Sequence, residues 1–503
     1  MKLLLLLFVV LIVGCSKAFI QVDVNTQNLI DEYGRVRIFH GLNAVYKIFP
    51  WHPDTDTFDP QNSLCQEDID NLVSWGFNAI RLGVMWPGVE PERDEFNQTY
   101  VNVMKGIVDT LGDNGIYTII DFHQDLINRR FCGEGIPDWA VAVPDTRAFP
   151  SPVASPYPVD NTTLYPNLEQ CLSKEFAQYY FSDQVGAAFQ SLYDNVDGIL
   201  DEFVKYWQLL ATTFVDSNTV IGYEIINEPW GGDVYKDPLL LVDLGHADRV
   251  NLAPLYNTIN RAIRDIDDQH CVMFEKSLVD VYDSQFTPGT PGGIEYNNRQ
   301  ILSYHIYCGT SGSGPRYIGL CDDENEVFLS GAMKDLKRLG GGGFMTEFGA
   351  IGNSTKSMEM ITYMMEQADR HLQSWTYWQY KFYNDITTSG PEESLYLADG
   401  SLDVEKVMTL SRTYARAIAG EPISMYFDIT TSQFLFSYKI NTAITQPTEI
   451  YFNRQFHYSS GVNAQITSGE ATLTIISDNI INIIPNSNTI NGSIINVSIS
   501  PSN

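Results

Sequence analysis

The stretch "VIGYEIINEPWGG", residues 220–232, begins as a buried strand, with Val220, Ile221, Tyr223, Ile225 and Ile226 supplying β-branched and aromatic side chains. It then presents Asn227 and Glu228 and stops at Pro229. Proline cannot continue a hydrogen-bonded ladder, so the backbone is expected to turn away just past Glu228. That leaves a carboxylate projecting from the tip of a rigid element, which suits a group that must be held in place.

Seven further apolar runs share this character: "RVRIFHGLNAV", "NAIRLGVMW", "YTIIDFHQD", "CVMFEKS", "ILSYHIYC", "GGFMTEFGA" and "SWTYWQYK". Helical segments separate them, which predicts parallel strands joined by helices. Eight alternating units over residues 35–420 match the size of a (β/α)8 TIM barrel with insertions. A doubly wound open sheet is the rival, but the Gly-rich dinucleotide fingerprint expected after its first strand is absent. Polar residues gather at the carboxyl ends of these runs: Asn43, Arg81, His123, Asp125, Asn227, Glu228, Glu275, His305, Tyr307, Glu347 and Trp378. In a barrel those ends share one face, where active sites are built.

From about Glu421 the composition changes to short alternating segments such as "MYFDITTSQFLFSYKI" and "IINVSIS", which predict a small C-terminal β-sandwich. The expected organisation is a leader over 1–18, a barrel over 19–420 and a sandwich over 421–503. Two insertions stand out. Residues 128–180 hold seven prolines between Pro137 and Pro166, and "CGTSGSGPRYIGLC" follows the sixth run. Loops of this length on a barrel often form lids or walls.

The chain has 503 residues, 62 acidic and 31 basic, for a formal charge of −31. Such a field repels nucleic acid and anionic membrane surfaces and suits a secreted protein or an acidic, lysosome-like compartment. The start, "MKLLLLLFVVLIVGCSKAF", reads as a cleaved signal peptide; a lipoprotein site at Cys15 is the alternative. The sequons at Asn97, Asn161, Asn353, Asn491 and Asn496 favour a eukaryotic secretory route. No later run is long enough to span a membrane, and a monomer is expected. Removing Cys15 leaves Cys65, Cys132, Cys171, Cys271, Cys308 and Cys321, which allow up to three disulfides; Cys132–Cys171 and Cys308–Cys321 are candidate pairs. No close Cys–His ligand spacing points to zinc.

Glu228 on the fourth strand and Glu347 on the seventh should face one another across the barrel mouth. Two carboxyl groups about 5–5.5 Å apart are what retaining glycoside hydrolysis needs, one as acid and one as nucleophile. Arg81 and Tyr307 can both hydrogen-bond Glu347 and would hold it ionised. Glu228, backed by apolar residues and close to a second carboxylate, would keep its proton longer and serve as acid, then base. Asn227 can meet a sugar 2-hydroxyl. Glu275 closes the fifth run without a motif partner and reads as structural, and Trp375 reads as core. Side-chain chemistry of this kind requires no metal or organic cofactor.

"INEP", "TEFG", "IRLGVMW", "FHQD", "HIY" and "YW" arrive in an order that resembles the family-5 glycoside hydrolases. The resemblance covers residues 35–420 and implies Glu228 as acid/base and Glu347 as nucleophile. Asn227, His123, Arg81, His305 and Tyr307 would form the polar shell, with Trp378 as a sugar platform. More narrowly, "GLNAVYK", "DFHQDLINRRFCGEGIPDWA" and "WQYKFYND", with a trailing sandwich, look like endoglycoceramidases. That resemblance implies Lys47, His123 and Asp125 as glycan ligands. It also implies a glycosphingolipid substrate, met at a micelle or membrane surface and cut between oligosaccharide and ceramide. The alternatives are a glucosylceramidase or steryl β-glucosidase, and a polysaccharide endo-β-glucanase of the same family.

Overall fold

The computed structural model describes residues 19–280, 284–307, 318–388 and 390–502, and within 318–324 the backbone alone. The expected leader, Cys308 and the Cys321 side chain lie outside the described residues. All eight apolar runs form strands of one closed parallel barrel: β1 (His40–Ala44), β2 (Ala79–Gly83), β3 (Tyr117–Asp121), β4 (Val220–Glu224), β5 (Cys271–Phe274), β6 (Gln300–Ile306), β7 (Gly342–Phe348) and β8 (Ser374–Tyr377). β8 pairs with β1 to close the ring. The helices outside bury one stripe each. In α1 (Gln66–Trp75) Ile69, Leu72 and Trp75 face inward. In α2 (Gln98–Asp113) Val101, Met104, Val108 and Leu111 do so, at the three-to-four spacing of a helix face.

The strands are shorter than the runs that announced them. β4 ends at Glu224, so Glu228 lies in the segment beyond rather than on the strand tip. Its neighbours stay anchored, because Ile225 N–H donates to Met273 O at 3.1 Å and Asn227 N–H to Phe122 O at 3.0 Å. His123, Asp125, Glu275, Tyr307 and Trp378 likewise sit just past strand ends. Sequence alone overextends such strands because apolar residues continue into well-packed loops.

The barrel interior is layered. Phe39, Ala79, Ile119, Ile221, Met273, Ile301 and Phe344 fill the lower level, and Ile20, Val22 and Leu29 join them from the N-terminal segment to close the floor. Above this level the inward side chains turn polar, beginning with Arg81 and Glu224, both fully buried.

The C-terminal unit is a two-sheet sandwich as expected, with different limits. Its four-stranded sheet contains Gly420–Asp428, Gln433–Ile440, Ile494–Pro501 and Val462–Ser468. Its seven-stranded sheet starts from Tyr414–Ile418 rather than after residue 420, and it takes up Gln21–Val22, Leu29–Ile30 and Val36–Arg37 from the other end of the chain. Val36–Arg37 runs antiparallel to Ala417–Ile418. Arg35 and Arg416 then share Glu449 across the join, at 2.8 and 2.9 Å. Strands of two residues carry too little pattern to be seen in a sequence.

The 128–180 insertion is a packed body. Cys132 and Cys171 form a disulfide, and Phe131, Phe149, Tyr157 and Tyr179 make an aromatic cluster inside it. Cys65 and Cys271 are buried free thiols, so among the described residues one expected bridge forms and these two cysteines remain unpaired.

Barrel and sandwich meet where α1 ends. Gly76 caps the helix at φ +89°, and a Cβ there would lie 2.1 Å from the Tyr451 ring. Tyr451 donates its hydroxyl to Ser74 O at 2.7 Å, and Tyr414 donates to Gly76 O at 2.9 Å. Gly76→Ala is therefore expected to cost about 2–4 kcal/mol, from a left-handed backbone and an overpacked ring together. Thermal unfolding compared with the native chain checks this.

Candidate active site

Arg81 is the hub of the polar level. Its Nε pairs with Glu224, and one terminal nitrogen donates to Asn43 Oδ1 at 3.0 Å and Glu347 Oε1 at 2.6 Å. The other donates to Asn227 Oδ1 at 2.8 Å and lies 3.1 Å from Asp121. Burial opposes this charge, but Asp121, Glu224 and Glu347 raise the guanidinium well above its ordinary value.

The two expected carboxylates share one cavity. Oxygens of Glu228 and Glu347 and a ring nitrogen of His305 all lie within 4.8 Å of one another. Glu347 is received by Arg81 and by the Tyr307 hydroxyl, the latter at 2.6 Å. A bulge between Met345 and Glu347 in β7 sets this direction. Glu228 has φ +40°, an uncommon backbone for glutamate, and a dense frame fixes it. Its N–H donates to Glu275 Oε2 at 2.8 Å, and Gln124 Nε2 donates to the carbonyls of Asn227 and Glu228 at 2.7 and 3.0 Å.

Burial pushes the Glu228 carboxyl up to about 7; Asp125 adds to the rise, while His123, Arg81 and Lys47 oppose it. Glu347 is also raised by burial, against the pull of Arg81. The expected lowering by Arg81 and Tyr307 does not prevail, because removal from water outweighs the cation. Burial brings His305 down to about 4, so the ring is neutral at ordinary pH. Its Nδ1 lies 2.8 Å from Glu228 and 3.5 Å from both Glu275 and Glu347.

Lys47 and Asp125, expected among the sugar ligands, are buried and bonded to each other at 2.6 Å. Asp385 at 2.8 Å and Thr387 at 2.9 Å complete the grip on Lys47, whose ammonium also lies 4.6 Å over the Trp378 ring. His123 stacks on Trp378 at 5.2 Å and bonds Asp121 at 2.8 Å. Burial works against its charge, yet Asp121 lifts it to about 9. Trp378 thus lines the cavity, while Trp375 is core. The cavity, of about 230 Å3, is lined by Lys47, His123, Asp125, Asn227, Glu228, Tyr307, Glu347 and Trp378, with Phe176, Ala177, Ala350 and Ile351 as an apolar portion. His305 stands behind Glu228.

Two groups of three could offer ligands to a cation: Glu224, Glu275 and His305, and Glu228, His305 and Glu347. Several of these atoms already engage Arg81, Tyr307 or the Glu228 N–H, and a cation would have to displace them.

The model of the cellulase family, glycosyl hydrolase family 5, matches residues 43–384, and that of the family-5 C-terminal domain matches 412–499. The endoglycoceramidase of Hydra vulgaris is 40% identical over 92% of this chain and 86% of its own length. That of Cyanea nozakii is 40% identical over 90% and 88%. The chain belongs to glycosyl hydrolase family 5. Within the family it stands with the endoglycoceramidases. The ganglioside GM3 complex of endo-glycoceramidase II from Rhodococcus sp. superposes with a TM-score of 0.72 at 21% identity, covering 95% of this chain and 99% of that one, so the fold is shared throughout.

This family-5 site holds residues that sequence reading passed over. Glu275, read as structural, accepts the N–H of Glu228. Glu134, from the loop after β3, and Asp385 and Thr387, both from the loop after β8, surround Lys47 and Asp125. Asp385 stands inside the quoted "WQYKFYND", and Glu134 inside "FCGEGIPDWA", so both lay within motifs but without an assigned partner. Glu275→Ala is expected to reduce turnover about 10²-fold by letting Glu228 swing. Glu275→Gln retains an acceptor for that N–H and should lose less. Steady-state rates of both variants, with circular dichroism to confirm folding, check this.

Proposed function

We propose that the protein is a retaining endoglycosidase that cuts the β-linkage between oligosaccharide and ceramide in glycosphingolipids. The closeness of Glu228 and Glu347 carries the reading, since inverting enzymes hold their carboxyl groups about 6.5–9.5 Å apart to admit a water. Glu347, oriented by Arg81 and Tyr307, attacks the anomeric carbon while Glu228 gives its proton to the departing ceramide oxygen. A water then enters, Glu228 takes its proton, and the glycosyl–Glu347 ester is hydrolysed. Asn227 uses one amide N–H on Gln124 O and retains the second for the sugar 2-hydroxyl. Trp378 presents an apolar face to the ring, and the Lys47, His123 and Asp125 group meets its hydroxyls. Phe176, Ala177 and Ile351 provide an apolar side to the cavity for the lipid.

The substrate class is supported by the names of the relatives and by the ganglioside held in the Rhodococcus structure. A secretory destination and glycosylation are supported by the apolar leader, the Cys132–Cys171 bridge and the exposure of Asn97, Asn161, Asn353 and Asn491. No helix among the described residues is long and apolar enough to cross a membrane.

Assays on a ganglioside, glucosylceramide and carboxymethyl-cellulose separate the candidate substrates. Intact oligosaccharide released from the first is expected, and activity on cellulose alone would reject the proposal. Glu347→Gln should lower turnover by on the order of 10⁴ or more. Glu228→Gln should cost about 10²–10⁴ on the lipid substrate while sparing release of a dinitrophenolate leaving group, which needs no proton.

The pH profile follows from the two carboxyls. Glu228 is active as an acid while protonated, so kcat/KM should fall as pH rises through about 7. Glu347 must be ionised, and its upward shift gives a second fall on the acid side. A bell-shaped profile centred below neutrality is expected, with the alkaline limb absent in Glu228→Gln assayed on the dinitrophenyl substrate.

A further inference from the structure

Beside the cavity stands an apolar ridge that the chemistry leaves unused. In the loop leaving β4, Tyr235, Leu239, Val242 and Leu244 are 48, 51, 74 and 61% exposed, and Phe181 alongside them is 50% exposed. The Tyr235 hydroxyl donates to Phe181 O at 2.6 Å, tying the β4 loop to the 128–180 insertion. Within the turn Leu239–Val242 only Leu240 is buried, which anchors the turn and leaves its neighbours facing out.

The ridge is continuous with the site. The Phe181 ring packs edge-on to Trp230 at 5.1 Å, and Trp230 follows Glu228 by two positions in the chain. Phe176, at the other end of the 3-10 turn Phe176–Phe181, lines the cavity itself. The charges flanking the ridge are engaged locally: Asp237 with His246 at 3.0 Å and Asp243 with Arg249 at 2.8 Å.

Contiguous exposed apolar side chains beside a binding cleft mark contact with an apolar partner. We propose that the Tyr235–Leu244 loop and Phe181 form a docking ridge that seats the enzyme in the surface of a neutral, glycolipid-bearing bilayer. The inference rests on the glycolipid reading above. A lipid surface fits better than a second protein because the ridge runs through Phe181 and the Phe176–Phe181 turn to the apolar wall of a cavity whose substrate is a lipid. A neutral or zwitterionic surface fits better than an anionic one. The chain carries a charge of −31, and the ridge lacks the lysine and arginine cluster that acidic headgroups recruit.

The test uses the full chain with phosphatidylcholine vesicles, plain or carrying lactosylceramide. Native protein should sediment with both, and L239S/V242S/L244S should not. The triple variant should lose about tenfold or more of its rate on vesicle-borne lactosylceramide. Its rates on a soluble aryl β-lactoside and on detergent-dispersed glycolipid should be unchanged, which also reports intact folding. V242W should strengthen sedimentation. Failure of native protein to bind plain vesicles, or an unchanged vesicle rate in the triple variant, overturns the ridge. So does a loss of self-association, read by analytical ultracentrifugation, with vesicle binding retained. Inactivity of native protein on detergent-dispersed glycolipid would instead reject the substrate reading, while the sedimentation results still decide the ridge.

Discussion

Arg81 holds a positive charge where water cannot reach it, and it is stable there because Asp121, Glu224 and Glu347 converge on its guanidinium with Asn43 and Asn227. Removing any one partner would leave a buried ion under-compensated, which is far more costly than losing a surface pair. Arg81 itself is on β2, and the residues around it belong to β1, β3, β4, β7 and the segment after β4. One planar fork therefore fixes the relative heights of those elements at the mouth of the barrel, and Glu347 points into the cavity as one prong of that arrangement.

The same neighbourhood explains why the site is rich in displaced protons. Cationic partners are Arg81, His123 and Lys47, whereas Asp121, Asp125, Glu134, Glu224, Glu228, Glu275, Glu347 and Asp385 supply acidic groups. Burial makes charge expensive for all of them. The excess therefore collects as protons on acids that the cations serve least, and Glu134, Glu228 and Glu275 all move upward. Neutral His305 sits between Glu228, Glu275 and Glu347, able to bond one of them without adding charge.

Much of this was readable in the chain itself, for a physical reason. Parallel strands are buried on both faces, so each appears as an apolar run, and polar residues at the ends of such runs are out of place unless they act. Glu228, Glu347, Arg81 and Tyr307 are legible on that basis. Glu275 is not, because its role is to receive a backbone N–H from a distant segment, and no residue type signals that. Glu134, Asp385 and Thr387 sit on two loops, after β3 and after β8, that must fold together around Lys47 from the loop after β1. Strand limits were overextended for Glu228 because packed loops are as apolar as strands. The two-residue strands near the start were invisible because pairing, not composition, defines them.

That early pairing has a consequence for how the molecule comes into being. Arg37 donates to Arg416 O, a contact between residues 379 apart, and the same N-terminal segment seals the barrel floor. At about 5–20 residues per second the ribosome delivers the second partner on the order of tens of seconds after the first. During that interval an open β-edge is exposed to every neighbouring nascent chain. Asp23, Asp31, Glu32, Arg35 and Arg37 punctuate the segment with charge, which discourages premature association until the far end of the polypeptide arrives.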